Sequence, residues 1–297
     1  MEKRSALYAL LVFGSLLALS FVFLYFLFSA LEQKGEQGWG SGMGPKIGVV
    51  ELTGTITDGK DVIGELHELR RDSSIKAIVL RIDSPGGAVA PSQEIYRAVL
   101  RTKKDKKVVC SMGTVAASGG FYVASACDKI YASAGTITGS IGVISEFPHV
   151  QGLMALARVD VDTIKSGAMK DSGSPLRAMS DTERKFFQGF VNGVYEQFLD
   201  DVSAARKIPK ETLRPLADGR ILTGQEALSH HLIDEIGNLE DALDGAAKLA
   251  GATGEPVPVF EKKPRGSFIG EMLRGAVQGA IEGAAPRGSI EVRDPRL

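Results

Sequence analysis

The chain has 297 residues, with 35 Lys and Arg against 36 Asp and Glu and a formal net charge of −1. That length forms one large domain or two small ones around a sizeable core. The balanced charge, with no basic block interleaved with aromatics, argues against a nucleic-acid partner, and two cysteines make no disulfide framework.

In chain order, the first feature is a run without a charged side chain, residues 5–31, rich in Leu, Phe, Ala and Val. As a helix those residues span about 40 Å, more than the roughly 30 Å of bilayer hydrocarbon. The run is longer than the apolar part of a cleaved signal peptide, so residues 1–31 are read as a cytoplasmic N-terminus and one uncleaved transmembrane anchor. Lys3 and Arg4 precede it while Glu32, Lys34 and Glu36 follow, which places the N-terminus inside and the bulk of the chain outside the cytoplasm. An oxidising compartment would permit a Cys110–Cys127 bridge, although two buried free thiols are the expectation.

Residues 32–45 are Gly-rich and read as a tether, with Trp39 placed to rest at the membrane surface. From residue 46 to 260, β-branched runs alternate with amphipathic stretches. Strands are expected at 47–52, 75–82 and 107–112, with helices at 62–71 and 92–102 between them, the pattern of an α/β fold. A helix is expected from about Ser118, then strands at 129–133, 141–145 and 159–164. Ser180 with Glu183, and Thr223 with Glu226, have capping-box spacing and announce a mostly helical C-terminal layer. A last strand at 257–260 precedes a tail, 261–297, rich in Gly, Arg and Pro, which reads as mobile.

Two loops could carry chemistry. Asp83-Ser84-Pro85-Gly86-Gly87 follows an apolar strand, and paired glycines there let backbone N–H groups approach a ligand. Ala116-Ala117-Ser118-Gly119-Gly120 runs from a strand into an apolar helix. A serine at that point is either an exposed nucleophile beside free N–H groups or simply the helix cap, and spacing alone leaves both open. The motif is not the Gly-x-Ser-x-Gly elbow of α/β-hydrolases. His67, His149, His230 and His231 form no recognisable cluster, and no metal-ligand spacing occurs. Lysine is the remaining base, provided an apolar pocket lowers its pKa. Lys165 and Lys170 lie among small residues just past an apolar run, and physics alone does not choose between them.

Together, 83–87, 116–120, Thr138-Gly139-Ser140-Ile141-Gly142-Val143 and Lys165-Ser166-Gly167-x-x-Lys170-Asp171 resemble the bacterial signal peptide peptidase, or SppA, family. The resemblance runs in order from about residue 46 to 250. It implies a Clp-protease/crotonase-like fold of repeated β-β-α units and a Ser/Lys serine endopeptidase that needs no cofactor. Ser118 would be the nucleophile, Lys170 the general base, Ser140 the hydroxyl orienting that lysine, and Gly87 with Gly119 the oxyanion hole. It further implies a single-pass protein of the bacterial inner membrane whose extracytoplasmic domain degrades remnant signal peptides and other apolar peptides. Members form homo-oligomers, and in short ones serine and lysine come from neighbouring subunits. Rival readings are a SohB or stomatin-associated type of membrane protease, a crotonase-like acyl-CoA enzyme, and an inactive scaffold.

Overall fold

The computed structural model describes residues 43–260. The predicted anchor, all but the last three residues of the tether, and the tail lie outside the described residues. Among the described residues no helix is long and apolar enough to cross a membrane.

Strands and helices alternate first: β1 (Lys46–Thr53), α1 (Lys60–Arg71), β2 (Ile75–Ser84), α2 (Val89–Thr102), β3 (Lys107–Ala117) and α3 (Gly119–Ser125). Next come β4 (Lys129–Ala132), β5 (Ile137–Gly139), α4 (Gln151–Ala157), α5 (Asp181–Arg206) and α6 (Lys210–Leu213). The described chain closes with β6 (Ile221–Thr223), α7 (Gly224–Ser229), β7 (Glu235–Ile236), α8 (Leu239–Leu249) and β8 (Val257–Phe260). The sheet runs β6-β5-β3-β2-β1-β8, with β4 joining β3 to β7. Among the described residues only the β5–β6 pair is antiparallel, so the α/β sheet is mixed.

Alternation along the strands sends side chains to two cores, as a sheet covered on both faces requires. Ile47, Val49, Ala77, Val79 and Val109 pack under α8. Val50, Leu52, Ile78, Leu80, Ile82 and Met112 face the other way, into the larger core that includes Phe121 of α3 and Leu199 of α5. Cys110 and Cys127 are buried free thiols in that larger core.

After each of the first main strands the chain makes a second, shorter stretch, and these stretches pair with one another. Ile56 bridges Gly87, residues 115–117 at the end of β3 pair with β5, and β5 pairs with β6. What separates the two parts of β3 is an irregularity: Ile82 is opposite Met112, but Ser84 is opposite Ala116. Side chains satisfy the backbone there. Asp83 accepts from the Val115 N–H at 3.1 Å, Arg81 donates to the Met112 carbonyl at 3.0 Å, and Thr136 donates to the Gly113 carbonyl at 2.8 Å. The bend turns the end of β3 towards β5, and so aims Ser118.

Both predicted capping boxes are present, at Ser180/Glu183 and Thr223/Glu226. The strands expected at 141–145 and 159–164 are not. The second ribbon instead uses Ile137–Gly139, and beyond it only the Ser140 N–H and the Ile141 carbonyl still pair, with Arg220 and Gly219. Val161 and Ile164 are 50% and 100% exposed, so β-branched side chains there have no neighbouring strand to pack on. A helix the sequence did not announce, α4, lies between those segments and buries none of its residues.

Candidate active site

Ser118 sits between the end of β3 and the first turn of α3. Its φ is 51° and ψ −119°, a backbone conformation that a residue bearing Cβ rarely adopts, and its side chain makes no cap hydrogen bond to α3. The backbone is held from both sides: its N–H donates to the Gly139 carbonyl at 2.9 Å, and its carbonyl accepts from Tyr122 N–H at 2.8 Å. The hydroxyl is therefore presented without serving the helix, which removes the capping explanation for this serine.

The 84–87 turn packs directly against it. Gly86 has φ +101°, and a Cβ there would stand 2.7 Å from the Gly119 nitrogen and 2.9 Å from the Ser118 Cβ. Gly87 is pressed on Ile56, whose backbone oxygen would lie 2.2 Å from an added Cβ. A Cβ at Gly119 would be 3.3 Å from the Gly87 nitrogen, so the two glycines adjoin across the turn. The N–H groups of Gly87 and Gly119 donate to no acceptor among the described residues. Two idle donors beside a presented hydroxyl are what stabilisation of an oxyanion requires. Gly86→Ala should consequently lower stability by about 1–3 kcal/mol. Differential scanning calorimetry should show the lower Tm together with lost peptidase activity.

Ser140 is brought to the same place. Its N–H donates to the Arg220 carbonyl at 2.7 Å, its φ is 49°, and the preceding residue, Gly139, is the one bonded to Ser118. Ser118, Ser140, Gly87 and Gly119 line one cavity of about 280 Å³. Its apolar wall includes Val89, Tyr122, Val143, Val194 and Phe198. Tyr122, four residues after Ser118, and the two α5 residues were missed in the sequence, because helix periodicity marks them equally well as core. Burial and then the Asp201 carboxylate, which accepts from its hydroxyl, push the Tyr122 pKa well above the usual phenol range. Burial, followed by Asp201, pushes Tyr96 up to about 12. Neither tyrosine is a base at neutral pH. Among the described residues the only charged one lining the cavity is Asp218, held down to about 2 by Arg220, which makes a two-point contact with it.

Among the described residues no lysine or histidine lines the cavity. All four histidines are exposed. Lys165 is engaged, donating to Asp171 at 2.5 Å and to the Ala168 carbonyl at 3.1 Å. Lys170 is exposed and its amine has no partner among the described residues. Ser118, Ser140 and the two glycines thus come together, while Lys170 stays outside their cavity.

The segment carrying Lys170 is pinned at the next residue. Arg177 donates to the Asp171 carboxylate at 2.8 Å and to both Glu183 oxygens at 2.5 and 2.9 Å, and Glu183 belongs to the capping box of α5. No short sequence pattern signals this three-residue clamp. Arg177, then Lys165, holds the Asp171 carboxyl well below its usual range, and Arg177, then Ser180, does the same for Glu183. Depressed folded-state values mean the clamp's contribution is complete above the ordinary carboxylate pKa, about 4, and is lost only as pH falls through the lower folded values. Hydrogen exchange over residues 165–183 should remain slow at pH 4, while Arg177→Gln should speed it at pH 7.

Fold and cavity define the class first: a Clp-protease-like α/β protein, whose Clp protease family model matches residues 46–135. The model of peptidase family S49 matches residues 101–253. A putative protease of Synechocystis sp. is 42% identical over 208 residues, 69% of this chain and 75% of that protein. A putative protease of Methanocaldococcus jannaschii is 36% identical over 241 residues, covering 76% and 78%. The putative signal peptide peptidase SppA of Enterococcus faecium is 36% identical over 218 residues, covering 72% and 63%. The chain belongs to peptidase family S49 and is a protease of the SppA type.

Proposed function

We propose that this protease is a membrane-anchored serine endopeptidase that uses a Ser118/Lys170 dyad to degrade remnant signal peptides and related apolar peptides. The observation that carries the reading is the unengaged Ser118 hydroxyl beside the idle Gly87 and Gly119 N–H groups in an apolar-walled cavity. Small apolar substrate side chains fit those walls. Ser118 Oγ attacks the scissile carbonyl carbon while a neutral Lys170 amine takes its proton, and the resulting oxyanion rests on Gly87 and Gly119. The lysine ammonium then protonates the leaving nitrogen as the C–N bond breaks. Water, deprotonated by the same amine, attacks the acyl carbon, and the ammonium returns that proton to Ser118 Oγ as the ester bond breaks. Ser140 orients the amine.

The lysine comes from a neighbouring copy in a homo-oligomer. Supporting this, α5 contributes Val194 and Phe198 to the cavity, while its first turn holds the Asp171 clamp. Glu183 and Val194 are 11 residues apart, about 16 Å along a helix, so the same rigid element that builds the cavity keeps Lys170 away from it. The anchor at residues 5–31 places the domain on the extracytoplasmic side of a bacterial inner membrane, where such peptides remain. A relative named probable protease SohB, of Haemophilus influenzae, is 32% identical over 167 residues, 56% of this chain. It represents the nearest second reading, with the same chemistry on other substrates. Membership of a peptidase family supports a hydrolase over the acyl-CoA alternative, and the Ser118→Ala comparison separates a working protease from a scaffold.

The test is the full chain reconstituted in phospholipid vesicles with a synthetic signal peptide, its products read by mass spectrometry. Cuts within the apolar part are expected, and none from the Ser118→Ala chain. Preference for a polar soluble peptide over the bilayer-inserted one would overturn the substrate assignment.

A further inference from the structure

The parallel strands β1, β2 and β3 all begin at one edge of the sheet, where α1 and α2 also end. That edge is strongly basic. Four adjoining segments, 44–46, 70–76, 101–107 and 126–129, hold ten Lys and Arg against three Asp, a net +7 in a chain whose total is −1. The segments are knit together in space. The Lys106 amine donates to the Leu69 carbonyl at 2.7 Å, Arg70 pairs with Asp105 at 3.6 Å, and Lys103 donates to the Ala126 carbonyl at 2.7 Å. The three aspartates are used internally, Asp105 by Arg70, Asp128 by Lys103 and Lys107, and Asp72 by the Ser74 N–H. Five exposed cations, Lys46, Arg71, Lys76, Arg101 and Lys104, have no hydrogen-bond or ion-pair partner among the described residues. The neighbouring segments lower the excess without changing its sign, since Lys248 and Glu255 cancel and Glu235, at the start of β7, pairs with Lys129 at 2.6 Å.

Like charges gathered on one face repel one another, and the local counter-charge is thin, with Asp72 attracting Lys46 and Lys106 together. The second observation is where the chain enters. Lys46 opens β1, so the tether reaches the domain at this basic edge, with 14 residues separating it from the uncharged run ending at Leu31. A domain tethered there is held with the basic edge within a short distance of the bilayer surface, where anionic headgroups set up a negative potential.

We infer that the basic edge formed by the starts of β1–β3 and the ends of α1 and α2 is a docking surface for anionic phospholipid headgroups. It rests on the anchor part of the proposed function and deepens it by fixing how the domain stands. Each cation within a Debye length, about 8 Å at physiological salt, strengthens such attachment roughly fivefold. Docking in this way turns the Ser118 cavity to the far side of the sheet. β2 alone, ten residues from Ile75 to Ser84, spans about 33 Å. A peptide would reach Ser118 after leaving the lipid, not within it.

The test places a fluorophore on the full chain in vesicles, through Ser73→Cys at the basic edge or Thr57→Cys at the opposite edge, the two native cysteines being buried. Quenching by spin-labelled headgroups is compared between phosphatidylcholine vesicles and vesicles containing phosphatidylglycerol. With phosphatidylglycerol, the Ser73→Cys probe should be quenched at least threefold more, returning to the phosphatidylcholine level in 1 M salt. The Thr57→Cys probe should respond to neither. A Lys46→Gln/Arg71→Gln/Lys76→Gln/Lys104→Gln chain with unchanged Tm should lose the difference. Equal quenching on both lipids, or quenching that survives the four substitutions, overturns the proposal. So does a chain that ignores phosphatidylglycerol but shifts a DNA duplex in a gel. Flotation with pure phosphatidylcholine vesicles reads the anchor separately, because it needs no anionic lipid.

Discussion

Replacing Ser118 with alanine should reduce kcat/KM on a fluorogenic peptide with a small apolar residue before the scissile bond by about 10,000-fold or more, the loss typical of removing a nucleophile. Stability should hardly change. The Ser118 hydroxyl makes no cap hydrogen bond, and alanine tolerates φ 51° no better and no worse than serine. Tm should therefore move by no more than about 2 °C in a domain of this size. Ser118→Gly separates backbone strain from chemistry. Glycine adopts that φ freely, so this variant should gain about 1 kcal/mol of stability while remaining as inactive as the alanine variant. A Ser118→Ala protein that kept its activity but lost several degrees of Tm would reinstate the serine as a structural residue. The nucleophile would then have to be sought elsewhere in the cavity, at Ser140 or Ser92.

The second large effect concerns the base. Lys170→Ala should be inactivated by a similar factor, because nucleophile and base act as one unit. Lys165→Ala should retain most activity, since the Lys165 amine is engaged by Asp171 and the Ala168 carbonyl. Mixing Ser118→Ala with Lys170→Ala subunits then tests where the base comes from. In a ring whose sites each take serine from one copy and lysine from the next, random mixing restores about a quarter of the sites. Recovery near that level, from two proteins that are each inactive alone, is the expected outcome. Absence of recovery, with mixed oligomers demonstrated by native mass spectrometry, would return both residues to one subunit. That would require α5 and the Asp171–Arg177–Glu183 clamp to rearrange.

Much of the fold was legible because its signals are local. Capping boxes need only a serine or threonine and a glutamate three residues on, and both predicted ones form. The apolar runs that became β1, β2 and β3 alternate towards two cores, as buried parallel strands do. The misplaced strands show the limit of such signals. Residues 159–164 have strand-forming side chains but no partner, and a strand exists only where another supplies its hydrogen bonds. At the site, the local sequence singled out Ser118 and the two glycine-rich loops that follow strands, while Ser140 entered through the resemblance to the SppA family. It left Ser118 divided between nucleophile and helix cap, because both uses place a serine at the same turn.

By itself, then, the amino-acid sequence determined the α/β class, the capped helices and the shortlist of reactive residues, all properties of neighbours along the chain. The tertiary structure decided three things that depend on residues distant in sequence. Pairing of Ser118 with Gly139, under the Gly86–Gly87 turn, turned the hydroxyl away from the helix and left two N–H groups idle beside it. Helix α5 lined the cavity with one part and, through Arg177, pinned the Lys170 segment with another, which distinguished the engaged Lys165 from the free Lys170. Parallel strand order gathered cations scattered between Lys46 and Lys129 onto the single edge where the tether arrives. Each is a matter of register and packing between elements, which no linear pattern of residues specifies.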